Sequence, residues 1–394
     1  MRLALFTDSF APQQNGVSRT LERLVRETEI RGGAACVFTV DDPRAPRSRN
    51  GHVHRTASVA LPHDPEIRIS LPSAGALLPA VAEFAPSLVH AATPFGVGLA
   101  GRRVARLAGI PFVTSYHASF AAYTRYYRLG ALAAPAWRYL RWFHNASRRT
   151  FCPTMAAQRE LRDRGFRRLA LWGRGVDTAR FSPSFRSRAM RLRVGVDDDT
   201  IVVAYAGRIA REKGIESLLG AMGCLRHLRS DLVFAFAGDG PYLEHCRTVA
   251  PGRAIFLGRL EGEALSAFYS SADIAVFPSS TDTFGDVLVE AMASGLPVVA
   301  ADCASTREIV GATGTYHAPD DVSQLSNAIL SLVVNAPRRR ALGRAARIRS
   351  SLFGWGAVFD DLFTEYESAL AGRDPVRLPS PGMRRSGAFS HAPR

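Results

Sequence analysis

The stretch Ser271–Ala301, SADIAVFPSSTDTFGDVLVEAMASGLPVVAA, predicts one strand–helix–strand unit of a parallel sheet. Its apolar runs 274–278 and 297–301 are continuous rather than alternating, which is typical of strands buried on both faces. Between them, a loop rich in Ser, Thr and Asp leads into a helix that ends at Gly295. The predicted first turn of that helix consists of Phe284, Gly285, Asp286 and Val287. The stretch therefore indicates an α/β fold built on parallel sheets.

Two carboxylates, Asp282 and Glu290, stand eight residues apart across the start of this helix. The first N–H groups of a helix have no partner within it, so this end suits an anion. Glu290, about two turns further on, is placed to accept hydrogen bonds from ribose hydroxyls. The stretch resembles the acid-x7-acid motif of retaining glycosyltransferases of family 4, which have the GT-B fold of two Rossmann-like α/β domains facing a central cleft.

The resemblance implies a division of roles among these residues. In the family, the first acid holds hydroxyls of the donor sugar, the second holds the ribose, and the backbone between them holds the diphosphate. We therefore expect Asp282 at the sugar, Glu290 at the ribose and residues 284–287 at the phosphates. The usual first acid is Glu, so Asp282 is one methylene shorter than the family pattern. For the acids alone, a helix-cap acid and a surface glutamate are the alternative interpretation.

Length and composition indicate a two-domain intracellular protein. The 394 residues suit two domains, and the hydrophobic share of 47% is enough for two cores. No run of eighteen apolar residues predicts a membrane span, and the N-terminus MRLALFTDSF resembles a first strand rather than a signal peptide. Five scattered cysteines argue for the reducing cytoplasm and against disulfides or a zinc site. They are Cys36, Cys152, Cys224, Cys246 and Cys303.

The net charge of +15 is concentrated in the first half of the chain. Residues 1–178 carry an excess of +13, residues 179–370 carry −2, and residues 371–394 carry +4. Nucleic acid, anionic lipid and an acidic glycan are the candidate partners, but no nucleic-acid-binding motif accompanies the charge, so nucleic acid is not expected. Residues 120–150 interleave aromatic residues with arginines, which suits a membrane interface, a glycan groove or a core helix. These arginines are Arg125, Arg128, Arg138, Arg141, Arg148 and Arg149.

The N-terminal half offers two further site candidates. A strand over residues 2–7 leads through a loop to Gly16 and a helix, a geometry in which backbone can approach a phosphate. The motif GxGxxG is absent, which counts against a dinucleotide site. His117 directly follows the strand 112–114 in TSYHASF, at the strand end where α/β sheets gather ligands. The resemblance places Gly16 at the donor phosphate and His117 at the donor sugar; a tight-turn glycine and a structural histidine are the alternatives.

The C-terminal half restarts the α/β pattern with a strand over 201–206. Gly207 and Arg208 follow it, and a helix is predicted from Arg211 through Leu219. Arg208 and Lys213 match the family's AGR…EKG motif, whose cations neutralise the donor diphosphate. A guanidinium and an ammonium suit that task, and Lys213 is the only lysine in the chain. Donor contacts, mostly through backbone, are also expected from glycine turns after later strands, at Gly238, Arg259 and Leu260.

Glycine and proline positions and changes of composition along the chain indicate the domain boundaries. We predict an N-terminal acceptor-side domain over 1–175, a donor-binding domain over 176–352, a helix over 353–370 that crosses back to the first domain, and a disordered tail over 371–394. The segment WGRGVDTARFSP, residues 172–183, has the glycines and proline of a hinge and resembles the family's domain junction.

These observations predict a retaining glycosyltransferase that moves a sugar from a nucleotide donor to an acceptor hydroxyl. The similarity favours mannose from GDP-mannose and a lipid-linked or polysaccharide acceptor, with UDP-sugars open. We expect Arg208, Lys213, Asp282 and His117 in catalytic roles, no metal and no cofactor, because fixed cations can stabilise the leaving diphosphate. Docking on the anionic inner membrane surface is a further expectation. The alternatives are a sugar-nucleotide epimerase, a non-catalytic nucleotide binder and a pyridoxal phosphate phosphorylase that would use Lys213.

Overall fold

The computed structural model describes residues 1–13, 15–45, 52–61, 64–117 and 130–372. Two parallel sheets dominate it, of seven and six strands. Strands such as β1 (Arg2–Phe6) and β10 (Ile201–Ala206) are buried along almost their whole length, because helices cover both faces of each sheet. The predicted α/β architecture therefore appears as two separate doubly wound sheets.

The first sheet has the order β3-β2-β1-β6-β7-β8-β9, in which β1 is an interior strand paired in parallel to β2 and β6. A separate antiparallel hairpin, β4-β5, was not predicted. The strands are β1, β2 (Ala34–Val40), β3 (Val53–Thr56), β4 (Val59–Leu61), β5 (Asp64–Ile69), β6 (Leu88–Ala91), β7 (Phe112–Ser115), β8 (Arg149–Cys152) and β9 (Leu169–Leu171). The helices are α1 (Gly16–Ile30), α2 (Ala74–Phe84), α3 (Gly96–Ala108), α4 (Gly130–His144) and α5 (Met155–Asp163).

The second sheet has the order β12-β11-β10-β13-β14-β15. Its strands are β10, β11 (Leu232–Ala237), β12 (Ala254–Phe256), β13 (Ile274–Phe277), β14 (Val298–Ala301) and β15 (Gly314–His317). Its helices are α6 (Arg188–Arg193), α7 (Ile215–Leu225), α8 (Leu243–Val249), α9 (Gly262–Ser271), α10 (Asp286–Ala293), α11 (Ala304–Val310), α12 (Val322–Val333) and α13 (Ala336–Ser350). The opening stretch forms β13, α10 and β14, with β13 and β14 paired in parallel.

The last helix, α14 (Trp355–Leu370), returns to the first sheet. Phe359, Leu362 and Tyr366 are buried in the core that β1, β2 and α1 form, and Tyr366 Oη lies 2.6 Å from His90 Nδ1. A second contact joins the two halves, because the Glu308 carboxylate of α11 accepts hydrogen bonds from the first N–H groups of α5, at 2.7 and 2.9 Å. The packed α14 and the Glu308 hydrogen bonds therefore join the two halves at two places.

Two predicted helix starts are wrong. The helix expected from Phe284 begins at Asp286, because Gly285 has φ = +86° and cannot continue a right-handed helix. The helix expected from Arg211 to Leu219 is divided at Gly214, where φ is +71°. A 3₁₀ turn over Arg211–Lys213 precedes the break and α7 follows it. Both glycines instead form the tight turns that carry site residues.

Candidate active site

A cleft with a volume of about 1280 Å³ lies between the two sheets. The loop after β1, helix α1 and the segment before β10 line one side, and loops after β10, β11 and β13 line the other. The structure brings every predicted site residue to this cleft. These residues are Gly16, His117, Gly207, Arg208, Gly238, Lys213, Arg259, Leu260, Asp282, Phe284, Gly285, Asp286, Val287 and Glu290.

Lys213 and Asp282 form an ion pair, with Nζ 2.5 Å from Oδ1. Their side chains are 16% and 25% exposed. Burial opposes the charged form of Asp282, but the Lys213 ammonium and hydrogen bonds from Lys213 and Ser279 outweigh it, so the pKa of this carboxyl is lowered. The sequence placed the two residues in separate roles and did not predict this pair. The acid therefore fixes the ammonium at one place in the cleft.

Close backbone packing holds the Lys213 turn against the end of β13. A Cβ added at Gly214 would lie 2.4 Å from the carbonyl oxygen of Pro278, so only glycine fits there without a shift. The Thr281 hydroxyl donates to the carbonyl of Glu212 at 3.1 Å, which joins the same two loops. Arg208, at the end of β10, lies 3.7 Å from the Glu212 carboxylate. The end of β10 and the turn at Gly214 therefore place both cations, Arg208 and Lys213, in the cleft.

The start of α10 lines the same cleft as these cations. Gly285 caps the helix without a side-chain hydrogen bond, and Phe284 to Val287 all line the cleft. The N–H groups of such a first turn can bind an anion, and the helix dipole favours negative charge there. The corrected start at Asp286 leaves this property intact, because Phe284 and Gly285 precede the helix on the same turn.

Glu290 is buried on α10 and contacts residues of two other helices. Tyr269 of α9 donates to its Oε2 at 3.1 Å, and Arg19 of α1 lies 3.6 Å from its Oε1. Burial raises the pKa of Glu290 to about 7, while the Arg19 charge acts in the opposite direction. Sequence reasoning missed Arg19 and Tyr269, because neither lies in the motif. Helical spacing from Gly16 was the one available indication for Arg19.

Sequence reasoning also missed Arg174, which lies in the predicted hinge segment. Residue Arg174 is only 6% exposed, and its guanidinium donates through Nη1 to the Gly16 carbonyl at 2.6 Å and to the Thr20 hydroxyl. Its Nη2 lies 3.5 Å from His117 Nδ1, and Nη1 lies 3.9 Å from Asp286. The flanking glycines of WGRGVD were its only sequence signal. Arg174 joins the Gly16, His117 and Asp286 sides of the cleft.

The predicted basic and aromatic segment is divided by the fold. Arg149 is buried and donates to Glu365 of α14 at 2.9 Å, and Arg148 donates to the carbonyl of Ala369 at 2.8 Å. Both arginines therefore attach α14, but only Arg149 is buried away from any partner, whereas Arg148 remains exposed. Arg138 and Arg141 are exposed on α4. Arg125 and Arg128 lie outside the described residues.

Within the described ranges, no group of three or more His, Cys, Asp or Glu side chains is placed to hold a metal ion. The same part of the chain contains no helix long and apolar enough to cross a membrane.

Comparison with known proteins gives matches over most of the chain. Residues 14–180 match the family model described as Glycosyltransferase Family 4, and residues 200–335 match Glycosyl transferases group 1. A GDP-mannose-dependent alpha-mannosyltransferase of Mycolicibacterium smegmatis is 33% identical, covering 95% of this chain and 99% of that protein. Sulfoquinovosyl transferase SQD2 of Arabidopsis thaliana is 31% identical, covering 93% of this chain and 74% of that protein.

Solved structures share the architecture. Sucrose-phosphate synthase from Thermosynechococcus elongatus aligns with a TM-score of 0.76 at 22% identity, covering 94% of this chain and 99% of that one. HepE from Anabaena, solved in complex with UDP, aligns with a TM-score of 0.76 at 20% identity, covering 93% of this chain and 100% of that one. Likeness at these identities concerns the fold, and it confirms the predicted GT-B arrangement.

Proposed function

The chain belongs to glycosyltransferase family 4, and from that premise we propose that it transfers mannose from GDP-mannose to an acceptor hydroxyl with retention at the anomeric carbon. The observation that carries the proposal is the convergence of Arg208, Lys213 and the uncapped start of α10 on one cleft. A nucleoside diphosphate leaving group develops negative charge there, and fixed positive groups stabilise it most when they need no reorganisation.

Each of the remaining residues has a place in this mechanism. The Asp282 carboxylate keeps the Lys213 ammonium fixed and accepts hydrogen bonds from donor sugar hydroxyls. The ionised Glu290 carboxylate accepts hydrogen bonds from the ribose hydroxyls. We assign no protein side chain as general base. The acceptor hydroxyl attacks from the face of the departing diphosphate, and its proton passes to an oxygen of that diphosphate. The proposal includes no metal and no cofactor, because two cations and helix N–H groups supply the positive charge.

Mannose is the favoured donor sugar because three relatives carry the name GDP-mannose-dependent alpha-mannosyltransferase. They are 31–33% identical to this chain, which covers 90–99% of their lengths. A different donor sugar is the second candidate, since a sulfoquinovosyl transferase is 31% identical and an alpha-monoglucosyldiacylglycerol synthase is 28% identical. The latter name also favours a lipid acceptor.

A basic surface on the N-terminal half supports a lipid acceptor. Residues 84–159 contain no Asp or Glu. Arg102 stacks its guanidinium 3.4 Å from the centre of the half-exposed Trp142 ring, and both line a shallow pocket with Arg138 and Arg141. Indole rings and arginines together suit the interface of an anionic membrane. We place the enzyme in the cytoplasm, peripheral to the inner membrane face.

The test is a donor panel in which release of nucleoside diphosphate is measured for GDP-mannose and for UDP-sugars, with a diacylglycerol-type lipid as acceptor. We expect GDP release above all, dependent on the acceptor. Preferential turnover of a UDP-sugar would support the second candidate. Conversion of the donor without acceptor would instead support an epimerase or hydrolase.

A further inference from the structure

Arg174 has no assigned role, yet its contacts leave the guanidinium little freedom. Two oxygens of α1, the Gly16 carbonyl and the Thr20 hydroxyl, accept hydrogen bonds from Nη1. Asp286 is the nearest carboxylate in the described part of the chain, at 3.9 Å, which is beyond hydrogen-bond distance. The other terminal nitrogen, Nη2, faces His117 Nδ1 at 3.5 Å. A buried cation is therefore held by neutral oxygens in a fixed position beside an imidazole.

This position decides which nitrogen of His117 carries the proton. A guanidinium has five N–H donors, accepts no hydrogen bond and stays protonated in proteins. A proton on His117 Nδ1 would point at that cation, whereas a lone pair on Nδ1 can accept from it. The neutral ring beside Arg174 therefore carries its proton on Nε2. Burial and, next, the Arg174 charge hold the pKa of His117 well below its usual range, so the ring is neutral at pH 7.

No other charged group near His117 reverses this choice. His90 of β6 and His144 of α4 face it, but burial lowers the pKa of each to about 3, so both are neutral at pH 7. Trp172 packs edge-on against the ring with centroids 5.7 Å apart. Asp286 lies on the far side of Arg174. Among the described residues, Arg174 is thus the charge that acts on this imidazole directly.

His117 Nε2 is buried and has no hydrogen-bond partner in the part of the chain that the structure describes. Its residue lines the cleft, and a buried N–H without a partner is costly unless a ligand satisfies it. We infer that Arg174 is a positioning residue that fixes His117 as the Nε2–H tautomer, so that the ring donates one directed hydrogen bond to the donor sugar. The inference rests on the proposed function only in naming that acceptor.

The experiment compares wild type with Arg174→Met, Arg174→Lys and the exposed control Arg344→Gln. Imidazole ¹⁵N NMR with labelled histidine reads the tautomer, and His117→Gln assigns the signal. We expect the Nε2–H tautomer in wild type, in Arg174→Lys, which keeps a cationic donor, and in Arg344→Gln. In Arg174→Met, the signal should shift to mixed tautomers with a raised pKa. Wild type in the Nδ1–H form, or an unchanged tautomer in Arg174→Met, would overturn the inference.

Kinetics supply a second readout that misfolding would not mimic. With bare nucleoside diphosphate binding unchanged, Arg174→Met should lower kcat/KM for the intact donor on the order of tenfold, as expected for one misdirected hydrogen bond. Arg174→Lys should recover most of it. Equal losses in both variants contradict the tautomer argument, because the retained charge should suffice. The NMR result is independent of the donor panel, so a failure of the proposed donor and a failure of this inference can be told apart.

Discussion

Replacing Lys213 with Met tests whether its ammonium acts on the leaving group or only stabilises the fold. Loss of one preorganised charged contact in a comparable site costs about 3–4 kcal/mol, or roughly 10²–10³ in kcat. The change also leaves Asp282 without the partner that now lies 2.5 Å away. Breaking a buried pair costs about 3–5 kcal/mol of stability, and the partial exposure of both side chains puts this pair at the low end or below.

A double-mutant cycle separates the two effects. Lys213→Met with Asp282→Asn removes both charges, so most of the stability lost in the single variant should return. Transfer activity should not return, because the Lys213 ammonium is still absent and Arg208 is left as the one side-chain cation of the proposed pair. Arg211→Met is the matched control: it lies in the same 3₁₀ turn, its side chain is 65% exposed, and it pairs with Glu216 outside the cleft.

The assays are chemical denaturation for stability and nucleoside diphosphate release under saturating donor for kcat. Near-wild-type kcat in Lys213→Met would refute the assignment. So would recovery of activity in the double variant, since the cation would then matter only as a partner of Asp282. A loss of equal size in Arg211→Met would show that general charge, not position, supports turnover.

Three further predictions concern the acids and the basic surface. Asp282→Ala should keep the stabilisation by GDP, about 2.7 kcal/mol at a hundredfold excess over Kd, but weaken selection among GDP-sugars. Glu290→Ala should weaken the binding of GDP itself. Equal losses of the GDP-induced thermal shift in the two variants would contradict these roles. Burial raises the pKa of Glu290 to about 7, so wild type should lose stability relative to Glu290→Gln as pH rises from about 4.5 to about 7. GDP should bind more tightly to wild type as the carboxylate forms. Parallel curves of unfolding free energy against pH for the two proteins would refute this. Wild type should sediment with anionic liposomes at low salt and dissociate as salt shortens the Debye length from about 10 Å at 0.1 M to about 3 Å at 1 M. Changing Arg102, Arg138 and Arg141 together to Ser should abolish liposome binding without loss of donor turnover in solution. If wild type does not bind anionic liposomes, a soluble acidic glycan becomes the favoured partner.

Much of the site could be predicted because its parts are local in sequence. The family, the GT-B fold and the glycosyltransferase activity are confirmed. They followed from residues close together in the chain: the acids around the start of α10, and the Arg208–Lys213 segment after β10. The division of roles between Asp282 and Glu290 stays a prediction, as do the donor sugar and the domain limits.

Apolar periodicity, glycine turns and the lone lysine determined by themselves that this chain forms parallel α/β units with cations and acids at strand ends. Tertiary structure alone decided which side chains meet. Lys213 and Asp282 are 69 residues apart and Arg174 and His117 are 57 apart, so their contacts depend on how separate units pack. Likewise, the buried Arg149 pairs with Glu365 because α14 brings that carboxylate to it. Local sequence patterns indicate the average burial of a helix or strand. The ion pair of Lys213, the protonation of His117 and the burial of Arg149 instead depend on neighbours that only the folded chain supplies.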